Sequence, residues 1–172
     1  VIGNVGRMHF QKNQQFIIRV FNQVHKKKQN SRLMLIGDGP DRNQIEDLVK
    51  SYKLENYVQF LGTRSDVNNL MQAMDIFLFP SIFEGLPLAL IEAQASNLQI
   101  YASTAINNKI IIDEKLINFI SLAENEDYWA NKILECKNFD RKTNQIEKLI
   151  KENGYDIKVE AKKIEKIFER KM

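Results

Sequence analysis

A single cysteine, Cys136, stands in a chain of 172 residues, which excludes an internal disulfide and any thiolate metal cluster and suits a reducing compartment. There is no run of about 18 apolar residues, so no transmembrane helix is encoded. The two histidines, His9 and His25, have no serine or cysteine nucleophile arranged with them, and neither is assigned to catalysis. A net charge of +3 is too small to argue for nucleic acid. The basic run Lys26-Lys27-Lys28 closes a helical stripe, where cations complement the negative end of the dipole. No repeat and no low-complexity tract occurs. The chain opens without methionine in a strand-like segment, so no signal peptide is read, and we expect a piece of something longer.

What remains is ordinary for a soluble globular domain: 44% hydrophobic and 27% charged residues, with length enough for one proper core. Apolar runs alternate with helical stripes. Strands are expected over 1–5, 33–36, 57–61, 76–79, 99–102 and 118–122. Between them helices are expected over 13–28 and 41–53, after Asp66 as N-cap, and from Pro87 onward. The stretch 103–116 is poorly patterned. Beyond residue 122 the pattern turns wholly helical, over 127–137, 141–152 and 157–170. Such alternation calls for right-handed crossovers and an α/β, Rossmann-like, doubly wound parallel sheet of about six strands. One domain is expected, with residues 1–122 as the parallel core and 123–172 as added C-terminal helices.

The sequence is organised around residues 79–97. Pro80 stops the buried strand Ile76–Phe79, a loop carries Glu84 and Gly85, and an apolar helix follows with Glu92 as its one acid. Two readings stand for these acids: solvated carboxylates, or a pair that grips hydroxyl groups of a ligand. In an open parallel sheet, ligands bind at the carboxyl ends of the strands. All the glycine-bearing and charged loops fall on that edge: 6–12, 37–40, 62–64, 81–87 and the stretch after Ala102. Arg7 and Lys12, five residues apart, can neutralise a pyrophosphate, although such residues are commonly solvated. Gly37-Asp38-Gly39-Pro40 is not a dinucleotide fingerprint, because the third glycine would fall on Arg42.

Ser81-x-x-Glu84-Gly85-x-Pro87-x-x-x-x-Glu92-Ala93 resembles the Glu-x7-Glu signature of retaining group 1 (family 4) glycosyltransferases. Val5-Gly6-Arg7 with Lys12-Asn13, Gly37-x-Gly39, Val58-x-Phe60-Leu61-Gly62, Ala93-Gln94-Ala95-Ser96 and Asp127-Tyr128-Trp129-Ala130 resemble further motifs of that family, in its order. The likeness is nearest to capsule and exopolysaccharide enzymes and covers residues 1–134. It implies the carboxyl-terminal, donor-binding half of a GT-B fold, the amino-terminal acceptor domain being absent. In such a domain Gly6, Arg7 and Lys12 hold the donor diphosphate. Glu84 contacts the sugar, with Gly85, Leu86 and Leu88 alongside, and Glu92 contacts the ribose. Gly37 lies at the same edge, and Leu61, Gly62, Thr63 and Arg64 line the base, or else form a plain strand end.

The resemblance further implies a nucleoside-diphosphate sugar, UDP-sugar first, as partner, an acceptor glycan or lipid-linked glycan, and no cofactor or bound metal. The chain lacks Asp-x-Asp, the divalent-ion motif of the other main glycosyltransferase fold. It implies a cytoplasmic enzyme, peripheral on the inner membrane face through the missing domain, and a fragment inactive alone. Asn97 stands where relatives have glycine, and 106–110 departs from their Gly-Gly-x-x-Glu-like segment. A 2-epimerase of the same architecture is the near alternative. A receiver-like signalling domain would want an aspartate ending the third strand, where Leu61-Gly62 stands.

Overall fold

The computed structural model describes residues 1–107, 110–136, 141 and 145–169. Six parallel strands form one sheet: β1 (Ile2–Val5), β2 (Leu33–Ile36), β3 (Val58–Phe60), β4 (Ile76–Phe79), β5 (Gln99–Ser103) and β6 (Ile117–Ile120). The strand order is β3-β2-β1-β4-β5-β6. Sequence order therefore reverses between β1 and β4, which pair directly through Ile2 with Ile76 and Gly3 with Phe77. At such a switch point the crossovers leave to opposite sides, and a crevice opens beyond the strands' carboxyl ends.

Two apolar layers cover the sheet. Along each strand, side chains alternate between faces, so both faces must be apolar where helices cover both. On one face Leu33, Leu35, Leu78 and Tyr101 meet α1 (Gln14–Lys27), α2 (Arg42–Ser51) and α5 (Glu126–Leu134). On the other, Met34, Ile36, Phe77, Phe79 and Ile100 meet α3 (Val67–Gln72) and α4 (Leu88–Ala95). The helix α1 buries the stripe Phe16, Ile17, Val20, Phe21 and Val24, whose spacing keeps one face of a helix continuously apolar. Trp129 of α5 is fully buried, stands edge-on to Phe16 at 5.5 Å and donates its indole N–H to the Ser121 carbonyl, a packing role rather than a ligand contact.

Two helical segments complete the chain, α6 (Gln145–Glu152) and α7 (Ile157–Glu169). The expected helices over 127–137, 141–152 and 157–170 are each shorter in the described residues. Lys137, residues 142–144 and Arg170 lie outside those residues. Arg141 sits in a turn and donates to the carbonyls of Met74 (2.7 Å), Ser96 (2.7 Å), Gln72 (3.1 Å) and Met71 (3.4 Å). One guanidinium thus ties together the chain ends that follow α3 and α4.

Several local expectations change. Asp66 occupies the N-cap position of α3 but makes no capping bond. Its carboxylate instead takes two 2.8 Å bonds from Arg64, which hold it below the usual carboxylate range. Pro87 is the N-cap of α4 rather than its first residue. Lys27 of the basic run does more than complement the dipole: it bridges to Asp127 and Asn131 of α5. The poorly patterned 103–116 stretch buries Ile106, Ile110, Ile112 and Leu116. Gln94 of α4 fastens it, accepting from the Ile112 N–H at 2.7 Å and donating to the Ile110 carbonyl at 3.0 Å. Asn108 and Lys109, within the divergent 106–110 segment, lie outside the described residues. Asn97, standing where relatives have glycine, adopts a left-handed conformation with φ 54°, which asparagine tolerates.

Candidate functional site

The loops after β1 and β4 meet at the switch point. After β1 the chain runs through Gly6 and Arg7 into a single 3-10 turn, Phe10–Lys12, and then Asn13, whose φ of 58° and ψ of 39° are left-handed. That bend turns Lys12 toward the loop following β4 before α1 begins. Lys12 Nζ donates to Glu84 Oε1 at 2.6 Å, and the two side chains are 20% and 6% exposed. The Lys12 ammonium also lies 5.4 Å from the Phe79 ring centroid. Two residues 72 apart in sequence are thereby paired in a low-exposure setting, where charges interact strongly and cost most if left alone.

Arg7 is exposed, at the rim of the same crevice. Beneath it, Gln14 donates its side-chain amide to the Arg7 carbonyl at 2.9 Å. Two buried polar atoms find no partner among the described residues, the Gln14 side-chain oxygen and the Ser81 hydroxyl, and both belong to these two loop regions.

The helix α4 leads out of the loop. Leu88 and Glu92, one turn apart on the same face, are both exposed, as is Ala95. The Glu92 carboxylate makes no hydrogen bond or ion pair among the described residues, while its carbonyl accepts the Ser96 N–H at 2.9 Å. Its neighbours Leu90, Ile91, Ala93 and Gln94 are buried, which explains how an acid sits on an otherwise apolar helix: it occupies the one wet stripe. Gly85 is exposed, with open space where a Cβ would stand. Phe10, Ile82, Phe83, Leu86 and Leu88 are 42–60% exposed and give this edge an apolar rim.

The remaining candidates continue along the carboxyl edge. Gly6 N–H donates to the Ile36 carbonyl at 2.9 Å, and Gly37 N–H to the Gly62 carbonyl at 2.8 Å, so the three glycines succeed one another across β1, β2 and β3. Gly37 has φ 124°, and a Cβ there would lie 2.1 Å from the Gly6 carbonyl oxygen. The Gly37-x-Gly39 turn is therefore required for close loop-on-loop packing. Leu61, Gly62 and Thr63 lie at the end of β3; Gly62 has φ 64° and open space around it. Arg64 is held by Asp66. The sequence pointed to Arg7, Lys12, Glu84 and Glu92 and placed Asn13 in the Lys12-Asn13 motif without a role of its own, but missed Gln11 and Ser103; Gln11, Asn13 and Ser103 all bond to the loop carrying Glu84. Neutral amides and hydroxyls in unpatterned loops carry no sequence signal for such contacts. Among the described residues, no three His, Cys, Asp or Glu side chains gather in a way that could hold a metal ion.

A family profile described as glycosyl transferases group 1 matches residues 1–138. EpsF of Bacillus subtilis (strain 168), which carries a provisional glycosyltransferase name, is 35% identical over 157 residues, spanning 91% of this chain and 41% of that protein. The UDP-Gal:alpha-D-GlcNAc-diphosphoundecaprenol alpha-1,3-galactosyltransferase of Escherichia coli is 27% identical over 169 residues, spanning 95% of this chain and 43% of that protein. The chain thus spans less than half the length of these relatives. Among solved structures, HepE of Anabaena in complex with UDP superposes with a TM-score of 0.77 at 19% identity, over 98% of this chain and 48% of that one. It shares the fold.

Proposed function

The chain belongs to the group 1 glycosyltransferases, and we propose that it is the donor-binding half of a retaining enzyme that transfers sugar from a nucleoside-diphosphate sugar. The observation that carries this reading is the convergence at the switch point: Lys12 paired with Glu84, Arg7 exposed beside them, and Glu92 exposed on the helix that leaves the same loop.

In this reading Arg7 and Lys12 face the diphosphate, whose charge rises as the sugar leaves. A guanidinium and an ammonium placed in advance offset that charge without a bound metal or other cofactor. Glu84 accepts hydrogen bonds from sugar hydroxyls and fixes the ring. Glu92 accepts from the ribose hydroxyls, while Leu88 and Leu86 give apolar contact along the ligand. The N–H groups opening α4, with Gly85 unobstructed, suit the phosphates. The base lies along Leu61–Arg64, and Gly6 and Gly37 let the loops close beneath the nucleotide.

Uridine is the leading choice of base; the Escherichia coli relative is named for UDP-Gal, and HepE was solved with UDP. We take the acceptor to be a lipid-linked oligosaccharide or a growing cell-surface polysaccharide; the Escherichia coli relative is named for GlcNAc-diphosphoundecaprenol, a lipid-linked sugar. The exposed rim Phe10, Ile82, Phe83, Leu86 and Leu88 supports a second, acceptor-binding lobe closing over the site, without which this half has no turnover. Use of a nucleotide sugar points to the cytoplasm. No helix among the described residues is long and apolar enough to cross a membrane, so peripheral attachment would come through the other lobe.

Saturation-transfer NMR with a panel of nucleotide sugars tests the reading. The expected result is transfer to ribose and sugar protons of one UDP-sugar, lost with Arg7→Ala. Absence of transfer to every nucleotide sugar contradicts it.

A further inference from the structure

The loop carrying Glu84 has little internal bonding and is held from outside. Gln11 grips two successive residues: its carbonyl accepts the Ile82 N–H at 2.8 Å, and its side-chain amide donates to the Phe83 carbonyl at 2.9 Å. Lys12 takes Glu84, and Asn13 donates its side-chain amide to the Pro80 carbonyl at 3.1 Å. From the other side, the fully buried Ser103, ending β5, donates its hydroxyl to the Ser81 carbonyl at 2.5 Å. Between Pro80 and Glu84, side chains or backbone of neighbouring segments hold every residue.

The three consecutive grips depend on the bend at Asn13. The 3-10 turn Phe10–Lys12 with the left-handed Asn13 after it lets Gln11, Lys12 and Asn13 all bond to the β4 loop, although in an extended chain their side chains would alternate. The Phe10 ring, 6.2 Å from the Phe83 ring, closes the outer end of the contact. A reacting or orienting carboxylate must be held to within a fraction of an ångström, and a loop without internal bonds cannot do this by itself.

We propose that Gln11 and Asn13 are positioning residues, a two-sided clamp on Phe83 and Pro80 that sets Glu84 toward the donor sugar. The proposal rests on the donor-binding reading above. It separates two parts of one ligand: the clamp acts on the sugar through Glu84, while the diphosphate and nucleoside meet other groups.

The test is calorimetric titration of the whole chain with UDP and with the UDP-sugar that the unaltered chain binds. Gln11→Ala removes the donor to Phe83, and Gln11→Glu keeps the shape but cannot donate to a carbonyl. Asn13→Gly keeps the left-handed backbone and loses only the donor to Pro80. Each variant should bind UDP within about 2-fold of the unaltered chain and the UDP-sugar about 3–10-fold more weakly, the scale of one lost hydrogen bond. Thermal denaturation shows whether each variant is folded at the titration temperature. Equal weakening of both ligands, or an unchanged ratio between them in all three variants, overturns the clamp while leaving the donor-binding reading intact. Failure of the unaltered chain to bind either ligand overturns that reading, and the clamp with it.

Discussion

At the residue scale, the pairing of Lys12 with Glu84 carries the most consequence. The Glu84 side chain is only 6% exposed, so removing the ammonium leaves a carboxylate with poor access to water. Lys12→Met should cost about 1–3 kcal/mol of stability, the penalty of an unpaired buried group. Glu84→Gln in the same chain should recover part of that loss. Chemical denaturation of the two single variants and the double variant measures the coupling; simple additivity would show that the pair is not an energetic unit. Glu92 differs, being exposed and unpaired among the described residues, so Glu92→Gln should leave stability within about 0.5 kcal/mol. Its effect belongs to the ligand. Affinity for UDP should fall by about 1–3 kcal/mol, and 2′-deoxy-UDP should lose much less on the same change. Equal losses for the two nucleotides would exclude a ribose contact.

His25 also gives a residue-scale expectation. Burial, then the nearby Arg32 charge, lowers its pKa below 6.5, while its ring packs 4.0 Å from that of Tyr57 and its Nδ1 lies 3.2 Å from the Ser31 hydroxyl. A lowered pKa means that the unfolded chain binds the proton more readily. The contribution is therefore present above the unfolded value of 6.5 and is lost as pH falls through the lower folded value. Unfolding free energy should decline with acidification over that window, and His25→Phe should flatten this part of the profile. Urea denaturation across pH 5–7.5 is the measurement, and an unchanged slope in His25→Phe would assign the decline to other groups.

Among the elements, those with a period were legible. The strands β2 and β4 fall where their apolar runs lie, and the α1 stripe is the one its spacing marks. The ends moved where contacts outside the element decide them. The helix α1 starts one residue late because Asn13 is left-handed, and β6 spans Ile117–Ile120 rather than 118–122 after the short turn at Glu114–Leu116. For the site, the charged residues were legible through their motifs, whereas the reversal between β1 and β4 that joins them is a property of strand order. Arg141 was not legible at all. A guanidinium is as common on open surface, and its carbonyl partners lie 45 or more residues away in sequence. Arg141→Ala should remove about 2–4 kcal/mol of stability, several carbonyl bonds being lost together, with nucleotide affinity unchanged because the residue is remote from the β1 and β4 loops. Arg141→Lys should recover only part, since an ammonium cannot fan across several acceptors. Denaturant midpoints of both variants check this; full recovery by lysine would mean that charge alone matters.

For the whole molecule, the two layers differ from the added helices in what they bury. The sheet and α1 to α5 hold the core, while Ile157, Ile164, Ile167 and Phe168 of α7 are 54–79% exposed. With relatives more than twice as long, the exposed site rim and the α7 face are the surfaces we propose for the other lobe. The central claim concerns this chain alone: we propose that a crevice at the switch point takes a nucleoside diphosphate by protein charge. Calorimetric titration of UDP into the chain, in chelator and again in excess magnesium, tests it most directly. The account predicts one saturable site with the same affinity in both, weakened by about 1.5–3 kcal/mol in Arg7→Ala. No binding, or binding only with magnesium present, would contradict it.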